Sequence, residues 1–132
     1  MAHFEGKWKL DRHDNFDGFL KAIGTGPAKA LIARNLKPEI TITLTANGFQ
    51  WKNKSIVAQE AEYVWGEEKE DKAPDGQMGK QVWELEGDKM IGTFTMADGK
   101  TIKITRTVEN GEIKQHGVTS CGVECTRYFK KL

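Results

Sequence analysis

Residues 101–113 read TIKITRTVENGEI, an alternation of apolar and polar side chains that leads into the pair Asn110-Gly111. Successive side chains of a β-strand point to opposite faces, and Asn-Gly between two such runs is typical of a hairpin turn. Arg106 falls on the apolar face of the first run. A charged side chain on a buried face is costly unless a partner stabilises it. Arg106 is therefore the first candidate for a functional residue.

The final apolar run places a second arginine in the same environment. Arg127 shares a face with Cys125 and Phe129. Two guanidiniums on inner faces need an anion, and a carboxylate matches the fork of a guanidinium. Acidic residues are nearly absent from the predicted inner rows. The exception is residues 67–72, where an acid such as Asp71 would be a partial internal partner if it turned inward.

The period of two extends through most of the chain after residue 38. Glycine-containing turn signals recur between the runs, which indicates an antiparallel meander of one opening strand and about nine more, as in a sandwich or barrel. The predicted inner rows contain the apolar residues Ile40, Ile42, Leu44, Phe49, Trp51, Ala61, Tyr63, Trp65, Trp83, Leu85, Met90, Phe94 and Met96, and the polar residues Asn53, Ser55, Gln81 and Gln115.

Two short helices are predicted between the opening strand, around Gly6 to Leu10, and the later strands, because the spacing of apolar residues in 16–23 and 27–36 follows a helical period. Asn15 is the expected N-cap of the first helix. In the second, Leu31 and Ile32 belong to the predicted apolar stripe.

The composition excludes several classes of function. The 132 residues include 20 basic and 19 acidic side chains and carry a net charge of +1, so no overall field favours nucleic acid. The chain begins without the apolar core of a signal peptide and contains no membrane-length apolar run, which predicts a cytoplasmic protein. Cys121 and Cys125 are too far apart on an ideal strand to bond, so free thiols are expected. The three histidines lack metal-ligand or catalytic spacing, so no metal, cofactor or catalytic residue is predicted.

Several motifs run along the chain in an order that resembles one family over essentially the full length. These motifs are Gly6-x-Trp8-x-Leu10, Asn15-Phe16-Asp17-x-Phe19-Leu20 with Ile23, Lys37-Pro38, Gly66-Glu67-Glu68, Pro74-Asp75-Gly76 and Cys125-Thr126-Arg127. With them the sequence is similar to the intracellular lipid-binding family, which includes the fatty-acid-binding proteins and the cellular retinoid-binding proteins.

The resemblance implies an all-β fold for residues 1–132 as a single lipid-binding domain: a ten-stranded antiparallel up-and-down β-barrel, or β-clam, under a helix-turn-helix lid. It also implies that Arg106 and Arg127 bind the carboxylate of a ligand inside the barrel. The residues expected to line the cavity are Phe129, Gln115, Trp51, Phe49, Phe16, Ser55, Asn53 and Ile104.

The chain departs from the family pattern beside the second arginine. The family's Arg-x-Tyr motif has Phe129 in place of the tyrosine, and Tyr128 falls on the opposite face. We therefore expect Arg106 and Arg127 to hold an acid with Gln115 or ordered water and without a phenol.

By similarity the portal of the cavity lies between the second helix and two turns, with Phe16 below it. Ser55 marks one turn, and Asp75 with Gly76 marks the other.

The leading hypothesis is a monomeric, non-enzymatic carrier of long-chain fatty acids. The alternative within the same class is a carrier of retinoic acid, bile acid or another amphipathic acid. Two other classes are an enzyme in a small barrel, which requires an internal general base, and an interaction module with a side-chain-filled interior. Lys21, Lys29 and Arg34 on the helices are candidates for transient contact with anionic membranes, although solvated helix surfaces also carry such charges.

Overall fold

Ten antiparallel strands and two short helices make up the computed structural model, which describes residues 2–54, 58–72 and 78–132. After a 3-10 turn at Ala2–Phe4, the elements are β1 Gly6–Asp14, α1 Phe16–Ala22, α2 Pro27–Asn35, β2 Glu39–Leu44, β3 Gly48–Lys54, β4 Ala58–Val64, β5 Glu68–Lys72, β6 Met78–Glu86, β7 Lys89–Met96, β8 Thr101–Glu109, β9 Glu112–Thr119 and β10 Glu124–Lys131.

The strands form one sheet that curves into a nearly closed barrel. The strand order is β4-β3-β2-β1-β10-β9-β8-β7-β6-β5, so strands consecutive in the chain pair with each other and β1 pairs with β10. The strands β4 and β5 occupy the two ends of this order, and no ladder joins them in the described part of the chain. We call this interruption the β4–β5 gap. The predicted ten-stranded up-and-down barrel is confirmed.

The β8–β9 hairpin determines which inner residues face each other. Asn110 and Gly111 have φ values of 53° and 77°, which are the positive values that a two-residue hairpin turn requires. With this turn Arg106 lies opposite Gln115, and the β9–β10 ladder places the same Gln115 opposite Arg127. One glutamine therefore stands between the two inward arginines.

The core fills the end of the barrel near the N-terminus. Trp8 is 1% exposed, and its indole N–H donates to the carbonyl oxygen of Phe4 at 3.0 Å. A second cluster lies under α1 and contains Phe16, Phe19, Leu20 and Ile23 from the helical segment. The residues of the first cluster are Phe4, Trp8, Leu10, Ile40, Ile42, Phe49, Tyr63, Trp83, Met90, Ile113 and Phe129.

Both helices differ from the sequence-based prediction in detail. Asn15 precedes α1 but its side chain does not cap the helix; with a backbone φ of 56°, it donates from Nδ2 to the carbonyl oxygen of Glu124 at 2.9 Å. The helix α2 contacts α1, but none of its residues is fully buried. Leu31 and Ile32 of α2 are 51% and 54% exposed. The expected buried stripe of α2 is therefore wrong.

Two further sequence expectations are decided by the structure. Cys121 is exposed, Cys125 is buried, and both are free thiols as predicted. Leu85 lies in the predicted inner row but is 39% exposed, because it is next to the last residue of β6 and is not part of either core cluster.

We expect Gly48→Ala to lower the free energy of unfolding by about 2–3 kcal/mol, within the range for overpacked sites. A Cβ atom at Gly48 would lie 1.7 Å from the carbonyl oxygen of Tyr63, so the β3–β4 ladder would have to shift. Denaturant unfolding followed by tryptophan fluorescence measures the effect. Gly26→Ala is the matched control, since Gly26 has a φ of −65° and nothing within 4 Å of its Cβ position. Equal losses in the two variants would contradict the prediction.

Candidate ligand-binding site

A cavity of about 120 Å³ lies inside the barrel between the packed end and the helices. Its wall is mainly aromatic and aliphatic, with amide side chains and two arginines among them. The lining residues are Phe19, Pro38, Ile40, Trp51, Asn53, Gln59, Tyr63, Gln81, Trp83, Gly92, Thr93, Phe94, Ile102, Ile104, Arg106, Gln115, Arg127 and Phe129.

The guanidinium of Arg106 lies between two indole rings. Its central carbon is 4.1 Å from the ring centre of Trp51 and 4.3 Å from that of Trp83. Nε donates to Oε1 of Gln115 at 2.8 Å, whereas the buried Nη1 has no hydrogen-bond partner. Because stacking on aromatic faces and one amide bond replace water only in part, Arg106 retains a donor for an additional acceptor.

A glycine makes room for one of these rings. A Cβ atom at Gly92 would lie 2.6 Å from the six-membered ring of Trp83, so any larger residue would displace the indole. Trp83 is further oriented by its N–H, which donates to Oε1 of Gln81 at 3.0 Å. The neighbouring strands β6 and β7 thus hold the face against which Arg106 stacks.

Arg127 is half-buried and lies nearer to the helices. Its guanidinium carbon is 4.5 Å from the ring centre of Phe16 and 5.3 Å from that of Phe129. Its Nε is buried without a hydrogen-bond partner. A smaller pocket under α1 is lined by Phe16, Cys125 and Arg127 together with residues of the main cavity. Arg127 therefore borders both spaces.

Burial dominates the electrostatics of the two arginines. It lowers the pKa of Arg106 to about 9, with a further lowering from Arg127, and it lowers the pKa of Arg127 to about 10. Both guanidiniums remain charged at neutral pH. Within the described residues neither forms an ion pair, so the cavity wall carries two positive charges close to apolar surface.

The cavity wall contains the phenol of Tyr63 on β4, whereas the family's Arg-x-Tyr motif would place a phenol at position 129 on β10. Tyr63 on β4 donates its hydroxyl to Oδ2 of Asp71 on β5 at 2.8 Å. Burial first, and this hydrogen bond second, raise the pKa of Tyr63. Asp71 therefore turns inward, as the sequence left open, and spans the β4–β5 gap. Tyr128 lies outside, under the guanidinium of Arg12 at 4.0 Å.

The structure brings together most of the residues that the sequence assigned to the site. The main cavity is lined by Arg106, Arg127, Phe129, Gln115, Trp51, Asn53 and Ile104, and Phe16 lines the smaller pocket. Phe49 lines neither space; it is fully buried against Tyr63, Trp65 and Trp83. The portal residues Ser55, Asp75 and Gly76 lie outside the described residues.

Several lining residues were not singled out as site residues from the sequence. Gln59 belongs to the same inner row as Tyr63, so extending the alternation by one step would have found it. Gly92 lies in the inner row between Met90 and Phe94, but its role depends on the ring of Trp83 on the neighbouring strand. The sequence of one strand does not predict which side chain lies opposite it.

Comparisons with known proteins connect this geometry to one group. No protein-family model matches the chain. The intestinal fatty-acid-binding proteins of mouse and human are each 33% identical over 130 residues, covering 97% of this chain and 98% of their own. Fatty acid-binding protein type 3 of Fasciola hepatica is 29% identical over 86% of both chains.

Solved structures show the same fold. A fatty acid binding protein of Schistosoma mansoni in complex with arachidonic acid superimposes with a TM-score of 0.93 at 28% identity and covers all of this chain and 98% of its own. The fluorescent protein UnaG shares the fold with a TM-score of 0.92 at 22% identity.

We expect Arg106→Gln to raise the free energy of unfolding at pH 7 by about 1–3 kcal/mol, because it removes a buried charge and keeps a donor for Gln115. The folded-state pKa of Arg106, about 9, is lowered from its ordinary value, so folding opposes the charge at every pH below that value. Denaturant unfolding of the ligand-free protein measures the change. Arg12→Gln is the control; it removes a surface pair with Glu112 (2.6 Å) and should not raise stability. A destabilised Arg106→Gln protein would contradict the prediction.

Proposed function

Because the chain belongs to the fatty-acid-binding proteins of the intracellular lipid-binding family, we propose that it binds long-chain fatty acids non-covalently inside the barrel and carries them as a monomer. In this proposal Arg106 and Arg127 bind the carboxylate, Gln115 orients Arg106, and the aromatic and aliphatic wall holds the acyl chain. No step of bond making or breaking is involved.

The observation that carries this proposal is the pair of charged guanidiniums in a wall that is otherwise apolar. Nη1 of Arg106 and Nε of Arg127 are buried donors without a protein acceptor in the described part of the chain. An ionised carboxylate supplies acceptors and the opposite charge at once, and each charged hydrogen bond contributes about 1.5–3 kcal/mol. An alcohol would supply neither a charge nor a second oxygen. The site therefore favours an acid.

The acyl chain supplies most of the binding energy. About 15 methylenes at about 0.8 kcal/mol each correspond to about 12 kcal/mol of transfer free energy, against an association cost of about 4–15 kcal/mol. The cavity volume of about 120 Å³ is smaller than the ~300–1,000 Å³ typical of ligand pockets. Binding of a long chain therefore requires lining side chains to move apart.

We expect Arg106→Gln and Arg127→Gln each to weaken oleate binding roughly 10- to 100-fold, since each removes a charged donor to the carboxylate. Titration calorimetry with oleate measures the loss, and mass spectrometry of lipid that co-purifies with each protein gives an independent reading. Arg12→Gln on the outer wall serves as the matched arginine control.

Equal oleate affinity in the parent and in both variants would refute the carboxylate assignment. Competition between labelled oleate and retinoic acid or a bile acid distinguishes the fatty acid from the alternative amphipathic acids. Turnover of the bound acid would instead identify an enzyme. A protein that retains no lipid after native extraction and binds none added to it would be an interaction module.

The second part of the proposal concerns transient contact with membranes through the helical lid. Leu31 and Ile32 on α2 are more than half exposed, Lys29 and Arg34 are exposed on the same helix, and Lys21 is exposed on α1. Basic side chains next to exposed apolar ones favour binding at an anionic lipid surface.

In the described part of the chain no helix is long and apolar enough to cross a membrane. The proposed location is the cytoplasm, and free Cys121 and Cys125 support a reducing compartment.

Neutralising Lys21, Lys29 and Arg34 to glutamine should slow the transfer of a fluorescent fatty acid to vesicles rich in phosphatidylglycerol by about 100-fold, given about 1 kcal/mol for each of the three charges near such a surface. Transfer to neutral phosphatidylcholine vesicles should change little. The control replaces Lys80, Lys89 and Lys103, which are exposed on barrel strands. An unchanged rate to anionic vesicles, or the same decrease in the control, would dismiss the membrane contact.

A further inference from the structure

A series of neighbouring side chains leads from one face of the Arg106 guanidinium to the carboxylate of Asp71 at the β4–β5 gap. Arg106 stacks on Trp83 at 4.3 Å, and the indole N–H of Trp83 donates to Gln81. The ring of Tyr63 lies 6.1 Å from that of Trp83, and its hydroxyl donates to Asp71 at 2.8 Å. Gln81 also interacts with Tyr63 and lowers its pKa, so a series of neighbouring side chains connects Arg106 with Asp71.

Asp71 differs in this respect from the other acids of its segment. Its carboxylate accepts a hydrogen bond from Tyr63, which is a residue of the cavity wall. Its neighbour Glu70 is exposed on the other face of β5. Tyr63 is 7% exposed, so the hydrogen bond fixes a negative group against a buried part of the wall.

We infer that Asp71, held inward by Tyr63, supplies a negative charge that competes with the ligand carboxylate for the Arg106 site and so sets the preference for acidic over neutral lipids. This inference rests on the proposed function. Asp71 acts as a specificity-determining residue that does not touch the ligand, and Tyr63 is its positioning residue.

The physical reason is that charges act over longer distances in a medium of low dielectric constant than in water. Tyr63 itself stays neutral at neutral pH because its pKa is raised, so the negative charge at this part of the wall is that of Asp71. A fixed negative charge behind the guanidinium reduces the attraction of Arg106 for a second anion. A carrier benefits from this reduction because a cargo held by two buried arginines must also dissociate.

The test compares the affinities for oleate and oleyl alcohol, which share a chain and differ in head-group charge. We expect Asp71→Asn to tighten oleate binding about 3- to 10-fold, for one removed charge at an effective dielectric constant of about 20. The affinity for oleyl alcohol should stay unchanged. Glu70→Gln, which removes the adjacent exposed charge, is the matched control and should change neither affinity.

Tyr63→Phe provides a second route, since it keeps the ring and removes the hydrogen bond from Tyr63 to Asp71. It should shift the ratio of the two affinities in the same direction, and adding Asp71→Asn to it should have less effect than Asp71→Asn alone, as expected for coupled residues. Thermal melts and circular dichroism of every variant verify that the barrel is folded.

The inference is overturned if Asp71→Asn alters oleate and oleyl alcohol binding equally, or alters oleate binding no more than Glu70→Gln does. Either result together with a loss of oleate binding in Arg106→Gln would leave the proposed function intact. A parent protein that binds no oleate would overturn both.

Discussion

A guanidinium enclosed between two indole rings keeps its charge only where other groups replace the water that it has lost. For Arg106 these groups come from three strands: Trp51 on β3, Trp83 on β6 and Gln115 on β9. A sheet that curves into a nearly closed barrel is the architecture that lets residues so distant in the chain surround one side chain. The environment of Arg106 therefore depends on the formation of the whole barrel. It also depends on Gly92, because only a glycine leaves room for the ring of Trp83 at this position.

The sequence predicts the strands, the turns and the inward arginines because each depends on neighbours in the chain. Asn110-Gly111 adopts positive φ at both residues, and the alternation around it places Arg106 inside. The residues that surround Arg106 cannot be predicted in this way, because they come from strands distant in the sequence. Its contact with Trp51 joins strands more than fifty residues apart in the printed sequence, and the inward turn of Asp71 depends on Tyr63 lying across the β4–β5 gap. Periodicity identifies the face of a residue but not the strand opposite to it.

The sequence-based errors have a common physical origin in tertiary packing. Asn15 is of a residue type that favours the N-cap position. Its side chain instead donates a hydrogen bond to the carbonyl oxygen of Glu124 on β10. Leu31 and Ile32 have helical spacing, but α2 packs on α1 through the smaller Ala30 and Ala33, which lie against the cluster under α1. A local pattern shows which groups are available for contact. The neighbouring elements decide which of them are used, and in α2 they leave the two larger side chains in solvent.

The β4–β5 gap has a consequence for the mechanics of the whole barrel. A sheet whose ladders close on themselves has a circumference fixed by its number of strands, because widening it would break backbone hydrogen bonds. Here β4 and β5 are joined across the gap by side chains: Tyr63 bonds to Asp71, and Nζ of Lys69 donates to the carbonyl oxygen of Glu62 at 2.8 Å. Side chains adjust by rotation, whereas ladders do not. The circumference of this barrel can therefore change at one place while the nine paired interfaces between strands stay intact, so the interior volume depends on rotatable side chains as well as on backbone ladders.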